Sequence, residues 1–376
     1  MADIIESSFD IIIMIFKFIG LFPHKKQSKI LVLSLYFSKV MLAVLVLVNL
    51  VFLRNSDFIV MSKLALFFPV IASSCVRDVP FLMDGQRVRK CFSFFENSDF
   101  VPKSDEERKI MDECVRLCRR NVRFYFFSIL ITESFWNLLP LFERNRKMPI
   151  DIWLPYELTR AEVYYPTYIY VCAVCVYMVL GGEMSEPLIG GLAYHATGQL
   201  KILKYNLENL SQFPDDYSLI KFEGVYGRLK QIITHHNNIL SFISEFENCF
   251  SFLIFCKIAA NIFALGVCGV GLVTVPFTNM YIALYILSYF ILVFQILFYC
   301  HYGSLLFQEN EGLTNAIYNS CWYKCDSKTR TVLLIIMERS KRRIILTAGK
   351  FVELTYRTFT SILKTSYSLI ATMKGL

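Results

Sequence analysis

The last apolar segment of the chain carries polar and charged side chains at steps of three or four residues, the spacing of one helix face. They are Glu353, Arg357, Thr360, Lys364, Ser368 and Thr372. A charge at bilayer depth costs roughly 2.5–3.5 kcal/mol on insertion scales, so such side chains face water or protein rather than lipid. The stripe therefore predicts either a water-lined pore or a salt-bridged interface with another subunit. Because one helix cannot enclose a pore, the first alternative requires a symmetric or pseudosymmetric oligomer.

A second group of residues has the chemistry to bind a small apolar ligand. Aromatic side chains concentrate in the outer halves of the second, third, fourth and sixth apolar segments, with few hydrogen-bonding groups among them. The residues predicted to line a small-molecule pocket are Phe67, Val70, Thr132, Phe135, Trp136, Tyr165, Tyr168, Tyr281 and Tyr285. Such walls suit a small volatile, with aromatic or heterocyclic molecules favoured. The alternative is that these rings only pack the bundle or form belts at the membrane interface.

Glu133 lies in the middle of the third apolar segment. An acid within the membrane is a candidate functional group, because an isolated buried charge is costly. The structural alternative is that Glu133 faces the bundle interior and pairs with Lys63 or a backbone donor. Pro69 and Pro166 are expected to interrupt the second and fourth helices and to open space near the aromatic pocket.

No enzyme site is expected. Serine-hydrolase, zinc-protease and phosphate-loop motifs are absent from the sequence. His235 and His236 lack carboxylate or cysteine ligands at metal spacing, so a packed or solvated pair is favoured over a metal site. Several of the 12 cysteines fall within apolar segments, where cysteine behaves as a small hydrophobe. Neither a disulfide framework nor a cofactor is predicted.

The composition indicates a membrane protein. Of the 376 residues, 55% are hydrophobic and only 19% are charged, and the mean hydropathy is +0.46. We predict an all-α membrane protein with seven transmembrane helices, each near the ~20 residues that a bilayer requires. Residues 11–19 are expected to form a short amphipathic helix rather than a cleaved signal peptide. The predicted spans are residues 30–53, 58–76, 124–142, 163–181, 250–273, 277–307 and 347–373.

Basic residues predict the orientation of these spans. Lysines precede the first span, and residues 77–123 and 324–343 are rich in Lys and Arg, whereas the loops on the other side carry few. Since basic loops remain in the cytoplasm, the N-terminus is expected inside and the C-terminus outside. That layout is the reverse of a G-protein-coupled receptor. The basic residues are not interleaved with aromatics on one stripe, which argues against nucleic-acid binding.

The spans and loops divide the chain into four predicted regions. They are a cytoplasmic N-terminal segment (1–29), a transmembrane bundle (30–306) with cytoplasmic helical extensions at about 84–123 and 197–249, a cytoplasmic anchor region (307–346), and a pore-lining helix with a short extracellular tail (347–376). The helical extensions are predicted from apolar residues at helical spacing.

The C-terminal fifth of the chain resembles the insect odorant receptor family. The resemblance is carried by FYCHYG at 298–303, AIYNSCWY at 316–323, LLIIMERS at 333–340, TAG at 347–349 and TFTSILKTSYS at 358–368. Residues 151–157, DIWLPYE, are similar to the family's second outer loop. The gustatory-receptor ending is missing, and residues 197–246 are too short for the cytoplasmic insertion of the odorant co-receptor. The chain therefore resembles a ligand-tuning subunit.

The resemblance implies an odorant-gated, non-selective cation channel in the plasma membrane of sensory-neuron dendrites. It implies a tetramer formed with the odorant co-receptor, in contact with membrane lipid. A gustatory-type channel of the same superfamily and a seven-span G-protein-coupled receptor are the alternative functions.

The resemblance also implies roles for particular residues. The seventh span would be split into an anchor half at about 317–340 and a pore-lining half at about 351–373. Tyr318, Trp322 and Tyr323 would belong to the subunit anchor. Ile370 would be the gate, with Ser366, Met373 and Lys374 beside it on the pore path. These residues do not coincide with the polar stripe, so both faces of the last helix are candidates for the pore wall.

Overall fold

The computed structural model describes residues 7–21, 29–52, 58–83, 85–142, 147–150, 152–158, 160–210, 220–275, 281–320 and 322–374. The described chain is almost entirely helical. Its α-helices are α1 (Asp10–Ile19), α2 (Lys29–Phe52), α3 (Phe58–Met83), α4 (Gly85–Ser93), α5 (Asp105–Leu138), α6 (Ala161–Met178), α7 (Ser185–Glu208), α8 (Ile220–Thr274), α9 (Tyr281–Asn319), α10 (Ser327–Ser340) and α11 (Tyr356–Lys374). Short 3-10 turns at Phe94–Glu96, Ser98–Phe100, Leu139–Phe142 and Trp322–Lys324 complete the connections.

Six helical segments within the described residues are long and apolar enough to cross a membrane, and they confirm the first six predicted spans. They are Val32–Phe52, Val60–Leu82, Asp105–Phe142, Ala161–Glu208, Val225–Thr274 and Tyr281–Asn319. The 55 residues of α8 extend for roughly 80 Å at 1.5 Å per residue, far more than the ~30 Å of a hydrocarbon core. The long helices therefore continue well outside the membrane, as the helical spacing predicted.

The seventh span begins later than predicted. Residues Thr347–Ala348 (β1) and Val352–Glu353 (β2) form a two-stranded antiparallel hairpin, so the helix starts at Tyr356 instead of 347. Gly349 and Lys350 have φ values of 64° and 67°, a left-handed conformation that a right-handed helix cannot contain. The prediction that Glu353 belongs to the polar helix face is therefore wrong, because Glu353 is an exposed residue of β2.

The segment before the hairpin also differs from the prediction. Helix α9 continues to Asn319, and the separate helix α10 begins only at Ser327 instead of about 317. Asp326 sets that start, because its carboxylate accepts the backbone N–H groups of Lys328 and Thr329 at 3.1 and 3.4 Å. This is an ordinary N-terminal helix cap.

The proline residues do not interrupt their helices, contrary to expectation. Pro69 lies inside α3 and Pro166 lies inside α6, and both helices continue past them. The irregularity occurs instead at Val179–Glu183, a π-helical turn that joins α6 directly to α7. A π turn holds one more residue per turn than an α-helix, and such turns are frequent at functional sites.

The predicted N-terminal helix is confirmed, and it is part of the core. In α1 the side chains of Ile12, Phe16 and Ile19 are buried. The Phe16 ring meets Phe81 of α3 edge to face at 5.3 Å between centroids. A large apolar core surrounds α1 and the long helical extensions. A smaller apolar cluster surrounds Trp136 and Tyr285 between α3, α5, α8 and α9. This cluster positions the candidate site.

Candidate functional site

A small cavity of about 120 Å³ lies between α3, α5, α8, α9 and the π turn. One side of it is apolar and the other carries hydrogen-bonding groups. The residues that line it are Leu66, Phe67, Val70, Ile129, Thr132, Glu133, Trp136, Val179, Glu183, Lys257, Ser288, Ile291, Leu292 and Gln295. An engineered apolar cavity of about 150 Å³ holds benzene, so this space is suited to a group the size of a single ring.

Four of the nine predicted pocket residues line this cavity: Phe67, Val70, Thr132 and Trp136. The Phe67 and Trp136 rings meet edge to face at 4.9 Å between centroids, the arrangement that aromatic pairs prefer. The Trp136 indole N–H donates to Ser288 Oγ at 3.1 Å. The Trp136 side chain is thus held in place by a ring on one helix and a hydroxyl on another.

The remaining aromatic residues of the predicted pocket lie elsewhere. Tyr285 is buried behind Trp136, with its hydroxyl 2.6 Å from Ser62 Oγ. Tyr281 is also buried, and the Lys63 ammonium lies 3.6 Å from the centre of its ring. Neither lines the cavity as it stands. Both belong to the apolar cluster that encloses it.

Three more predicted pocket residues lie on the far side of α5 or on α6. Tyr168 is buried and its hydroxyl donates to the backbone oxygen of Asn137. Phe135 is 53% exposed and Tyr165 is 55% exposed, so both rings point to the outer surface of the bundle. Their environment is that of side chains facing lipid.

Glu133 has a different partner from those expected. Its carboxylate accepts the side-chain amide of Asn137 at 2.7 Å, one helical turn further along α5. The alternative in which Glu133 pairs with Lys63 is not seen among the described residues, where the Lys63 ammonium lies over the Tyr281 ring. Glu133 nevertheless lines the cavity, so a carboxyl group is among its lining groups.

A buried cluster of four charged side chains lies beside the cavity, and the sequence analysis did not find it. Its members are Arg77 of α3, Glu183 of the π turn, Glu186 of α7 and Lys257 of α8, and all are almost completely buried. Arg77 donates to Glu183 at 2.5 Å and to Glu186 at 2.6 Å. Lys257 lies 2.9 Å from Glu183 and 2.8 Å from Glu186. The two cations and two anions balance.

Neutral polar groups extend this ion cluster. The Tyr125 hydroxyl donates to Glu186, and the Gln295 amide donates to Glu183 at 3.0 Å. Asn261 in turn donates to Gln295 at 3.0 Å. Side chains from five helices and the π turn therefore meet in one network. Three of its members, Glu183, Lys257 and Gln295, also line the cavity.

The sequence did contain a signal for this cluster. Lys257 lies within the fifth predicted span, 250–273, and a cation at that depth requires a partner. Its partners could not be derived, because Glu183 and Glu186 follow the fourth span and acquire their positions only through the π turn. A separate buried pair joins Lys39 of α2 to Asp78 of α3 at 2.6 Å.

Helix α11 presents two different faces. Its polar stripe is exposed along Arg357, Thr360, Lys364, Ser368 and Thr372, and an open groove runs along Lys364, Thr365, Ser368 and Thr372. These side chains are not covered by the described part of the chain.

The opposite face of α11 packs against α8. Ser366 is 2% exposed. Ile370 lies on Gly269 of α8, where an added Cβ atom would come within 2.1 Å of Ile370 Cδ1. Of the residues implied by the resemblance, Ser366 and Ile370 thus face a helix of the same chain. The side chains of Met373 and Lys374 lie outside the described residues.

The implied anchor residues form part of an outward-facing surface. Tyr318 is 69% exposed and Tyr323 is 60% exposed, with Trp322 half-buried between them. Exposed Leu334 and Ile335 of α10 add apolar area.

The histidine pair is packed, as favoured by the sequence. His235 is buried against Gln199, 2.9 Å away, and burial lowers the pKa of His235 to about 4. His236 is also buried. Among the described residues there is no cluster of three or more His, Cys, Asp or Glu side chains that could hold a metal ion.

These features define a multi-pass helical membrane protein of the receptor or channel class: buried charges that neutralise one another, a small aromatic cavity, and a helix, α11, with an exposed polar face. The chain belongs to the odorant receptor family, because the family model described as 7tm Odorant receptor matches residues 57–367. This membership makes the chain a receptor rather than an enzyme.

Relatives and solved structures agree with this assignment. The chain is 20% identical to odorant receptor Or1 of Anopheles gambiae over 86% of its own length and 81% of the relative. It is 23% identical to odorant receptor 13a of Drosophila melanogaster over 80% of its length and 76% of the relative. Its fold is similar to that of the olfactory receptor OR5 from Machilis hrabei in complex with eugenol, with a TM-score of 0.82 and 15% identity over 98% and 97% of the two chains. The seven-span helical fold predicted from the sequence is thus confirmed.

Proposed function

We propose that this chain is a ligand-tuning odorant receptor subunit that opens a non-selective cation channel together with the odorant co-receptor. It would act in the plasma membrane of sensory-neuron dendrites, with its N-terminus in the cytoplasm and its C-terminus outside. The observation that carries the proposal is the exposed polar stripe of α11. A helix that is polar on its outer face is stable in a membrane only when other subunits and water cover that face.

The ligand would bind in the cavity beside Trp136. Its volume of about 120 Å³ favours a small aromatic or heterocyclic volatile over a long-chain one. Apolar side chains would enclose most of the ligand, while Thr132, Ser288 and Gln295 provide hydrogen-bonding groups for one polar atom. A few convergent polar groups within apolar walls are typical of small-molecule sites.

Helix α8 would connect ligand binding to the gate. It carries Lys257, which lines the cavity, and Gly269, which contacts Ile370 about three helical turns further along. A ligand that binds better to a slightly shifted position of α8 would favour the arrangement in which Ile370 leaves Gly269. The ligand can shift this equilibrium only by its difference in affinity for the two states.

Electrical recording tests the proposal. The chain is co-expressed with an insect odorant co-receptor in oocytes, and currents are recorded across a panel of single-ring volatiles. We expect odour-evoked cation currents from the pair and none from this chain alone. Currents of full size from the chain alone would contradict the heteromeric channel.

The orientation has its own test, which also separates the alternatives. An epitope tag at Met1 is expected to be reached by antibody only after the cells are permeabilised. Labelling of intact cells would instead support the topology of a G-protein-coupled receptor. Membership of the odorant receptor family already favours this function over a gustatory-type channel.

A further inference from the structure

Four arginine side chains occupy one face of α5 just before its apolar part. Arg116, Arg119, Arg120 and Arg123 follow one another at helical spacing, and with Asp112 and Val115 they line a shallow open groove of about 520 Å³. The mechanism proposed above does not use this surface.

The groove lies beside the lipid-facing surface of the bundle. Directly after Arg123, the exposed side chains of α5 become apolar, with Phe124 61% exposed and Phe127 55% exposed. At 1.5 Å per residue, the four arginines lie within about 12 Å of Phe124 along the helix axis. The headgroup layer next to the hydrocarbon core is about 5–8 Å thick on each side, and an arginine side chain can reach several ångströms further.

The positive charge of this surface is only partly balanced. Arg119 donates to the backbone oxygen of Ser7 at 2.7 Å. Arg123 has a partly exposed contact with Asp10 at 3.4 Å. Within the described residues, the ion pairs engage Arg123 alone of the four, and both Arg116 and Arg120 are exposed. The carboxylate of Asp112 is the one acidic group that lines the groove.

Helix α1 provides a second membrane-facing feature next to the groove. Arg123 contacts Asp10 at the start of α1, and Arg119 contacts Ser7 just before it. On α1, Phe18 is 85% exposed and Met14 is 64% exposed. Large apolar side chains on the exposed face of a short helix are typical of helices that lie in the membrane interface.

We propose that Arg116, Arg119, Arg120 and Arg123 bind the headgroup of an anionic phospholipid of the cytoplasmic leaflet. Guanidinium groups match phosphate oxygens in a planar, two-pronged geometry, and the acyl chains would run along Phe124 and Phe127. The adjoining apolar surface favours a lipid over a soluble phosphate or an acidic peptide. The choice of leaflet rests on the orientation given by the proposed function.

Lipid binding to the purified full-length chain in nanodiscs tests the site. Dioctanoyl phosphatidylserine is compared with dioctanoyl phosphatidylcholine and with glycerophosphoserine, which is the same headgroup without acyl chains. The variant R116Q/R120Q removes the two arginines that are free to contact a ligand. The variant R87Q/K230Q removes the same charge from exposed positions on α4 and α8 and is the matched control.

We expect phosphatidylserine to bind the natural chain and the control equally, and R116Q/R120Q to weaken binding by about tenfold or more. Equal weakening in both variants would refute a specific site. Equal affinity for phosphatidylcholine would also refute it, and glycerophosphoserine binding as tightly as the lipid would establish a soluble-anion site instead. Odour-evoked currents are recorded separately, so the loss of currents with intact lipid binding would contradict only the proposed channel function.

Discussion

The ion cluster around Glu183 and the polar stripe of α11 both contain charged side chains within a membrane protein. The two regions differ in what balances those charges. In the cluster, two cations and two anions from α3, α7, α8 and the π turn neutralise one another within one chain. In the stripe, Arg357 and Lys364 are exposed on one helix. The described part of one chain therefore neutralises the first group of charges, whereas the second is left to water or to groups outside that part of the chain.

Removal of one cluster charge is expected to have the largest effect. Glu186→Ala leaves Arg77 and Lys257 buried with Glu183 as their common carboxylate, and breaking such a buried pair costs about 3–5 kcal/mol. The detergent-purified receptor should lose its monodisperse peak at a much lower temperature. Lys90→Ala is the control, because the Lys90–Glu245 pair is largely exposed and should contribute at most about 1 kcal/mol. An equal loss of thermal stability in the two variants would contradict the claim that the buried ion pairs contribute more than the exposed one.

The second-largest effect is expected from a substitution at the contact between α11 and α8. In Gly269→Ala the new methyl group would lie 2.1 Å from Ile370 Cδ1, and such overpacking costs about 1–3 kcal/mol. If Ile370 on Gly269 is the closed arrangement, the variant should raise the resting current of the co-expressed channel by about tenfold, since 1.4 kcal/mol is a factor of ten.

Gly227→Ala is the matched control for that variant. An added Cβ at Gly227 meets no atom within 4 Å, so the resting current should not change. A resting current that stays at its natural level in both variants would argue that Ile370 on Gly269 is not the closed gate.

A charge removed from the stripe should alter conduction and leave stability unchanged. Lys364→Gln deletes one exposed cation from α11, and the lower positive potential should raise single-channel cation conductance up to about twofold, with no shift in thermal stability. The control is Lys341→Gln on the surface beyond α10. A loss of stability in Lys364→Gln comparable to that of Glu186→Ala would show that the stripe, like the cluster, is satisfied within the chain.

The smallest effect at neutral pH is expected from His235, a titratable group that is buried in its uncharged form. Burial lowers the pKa of His235 from 6.5 to about 4, against the opposing influence of Glu107 and Asp99. The unfolded chain therefore binds the proton more readily, and stability should fall as the pH decreases from about 6.5 towards 4, with no effect above that range. His235→Gln, which retains a hydrogen-bonding group, should flatten this part of the thermal-stability profile.

The sequence predicted the parts of the molecule that depend on local periodicity. Apolar segments of bilayer length predicted the spans, and the short apolar repeat predicted α1. Four of the predicted pocket residues also line the cavity, because aromatic and small polar residues recur on helices that meet: Phe67, Val70, Thr132 and Trp136.

The remaining features depend on contacts between distant residues. The pairing of Lys257 with Glu183 joins residues 74 positions apart, and no spacing rule indicates it. The outward orientation of Phe135 and Tyr165 depends on how α5 and α6 rotate against their neighbours. The hairpin before α11 was missed because its turn depends on the backbone conformation at Gly349 and Lys350.

The π turn at Val179–Glu183 has a consequence for how this protein can change over evolutionary time. A π turn accommodates one extra residue within an α-helix, so loss of one residue there would restore a regular turn and move the side chains of the turn itself, while α6 and α7 keep their faces. Glu183 would then leave Arg77 and Lys257 and would no longer line the cavity. A deletion in this five-residue turn would therefore disturb the buried charge balance and the cavity lining in one step, whereas a substitution elsewhere in the lining changes one side chain at a time.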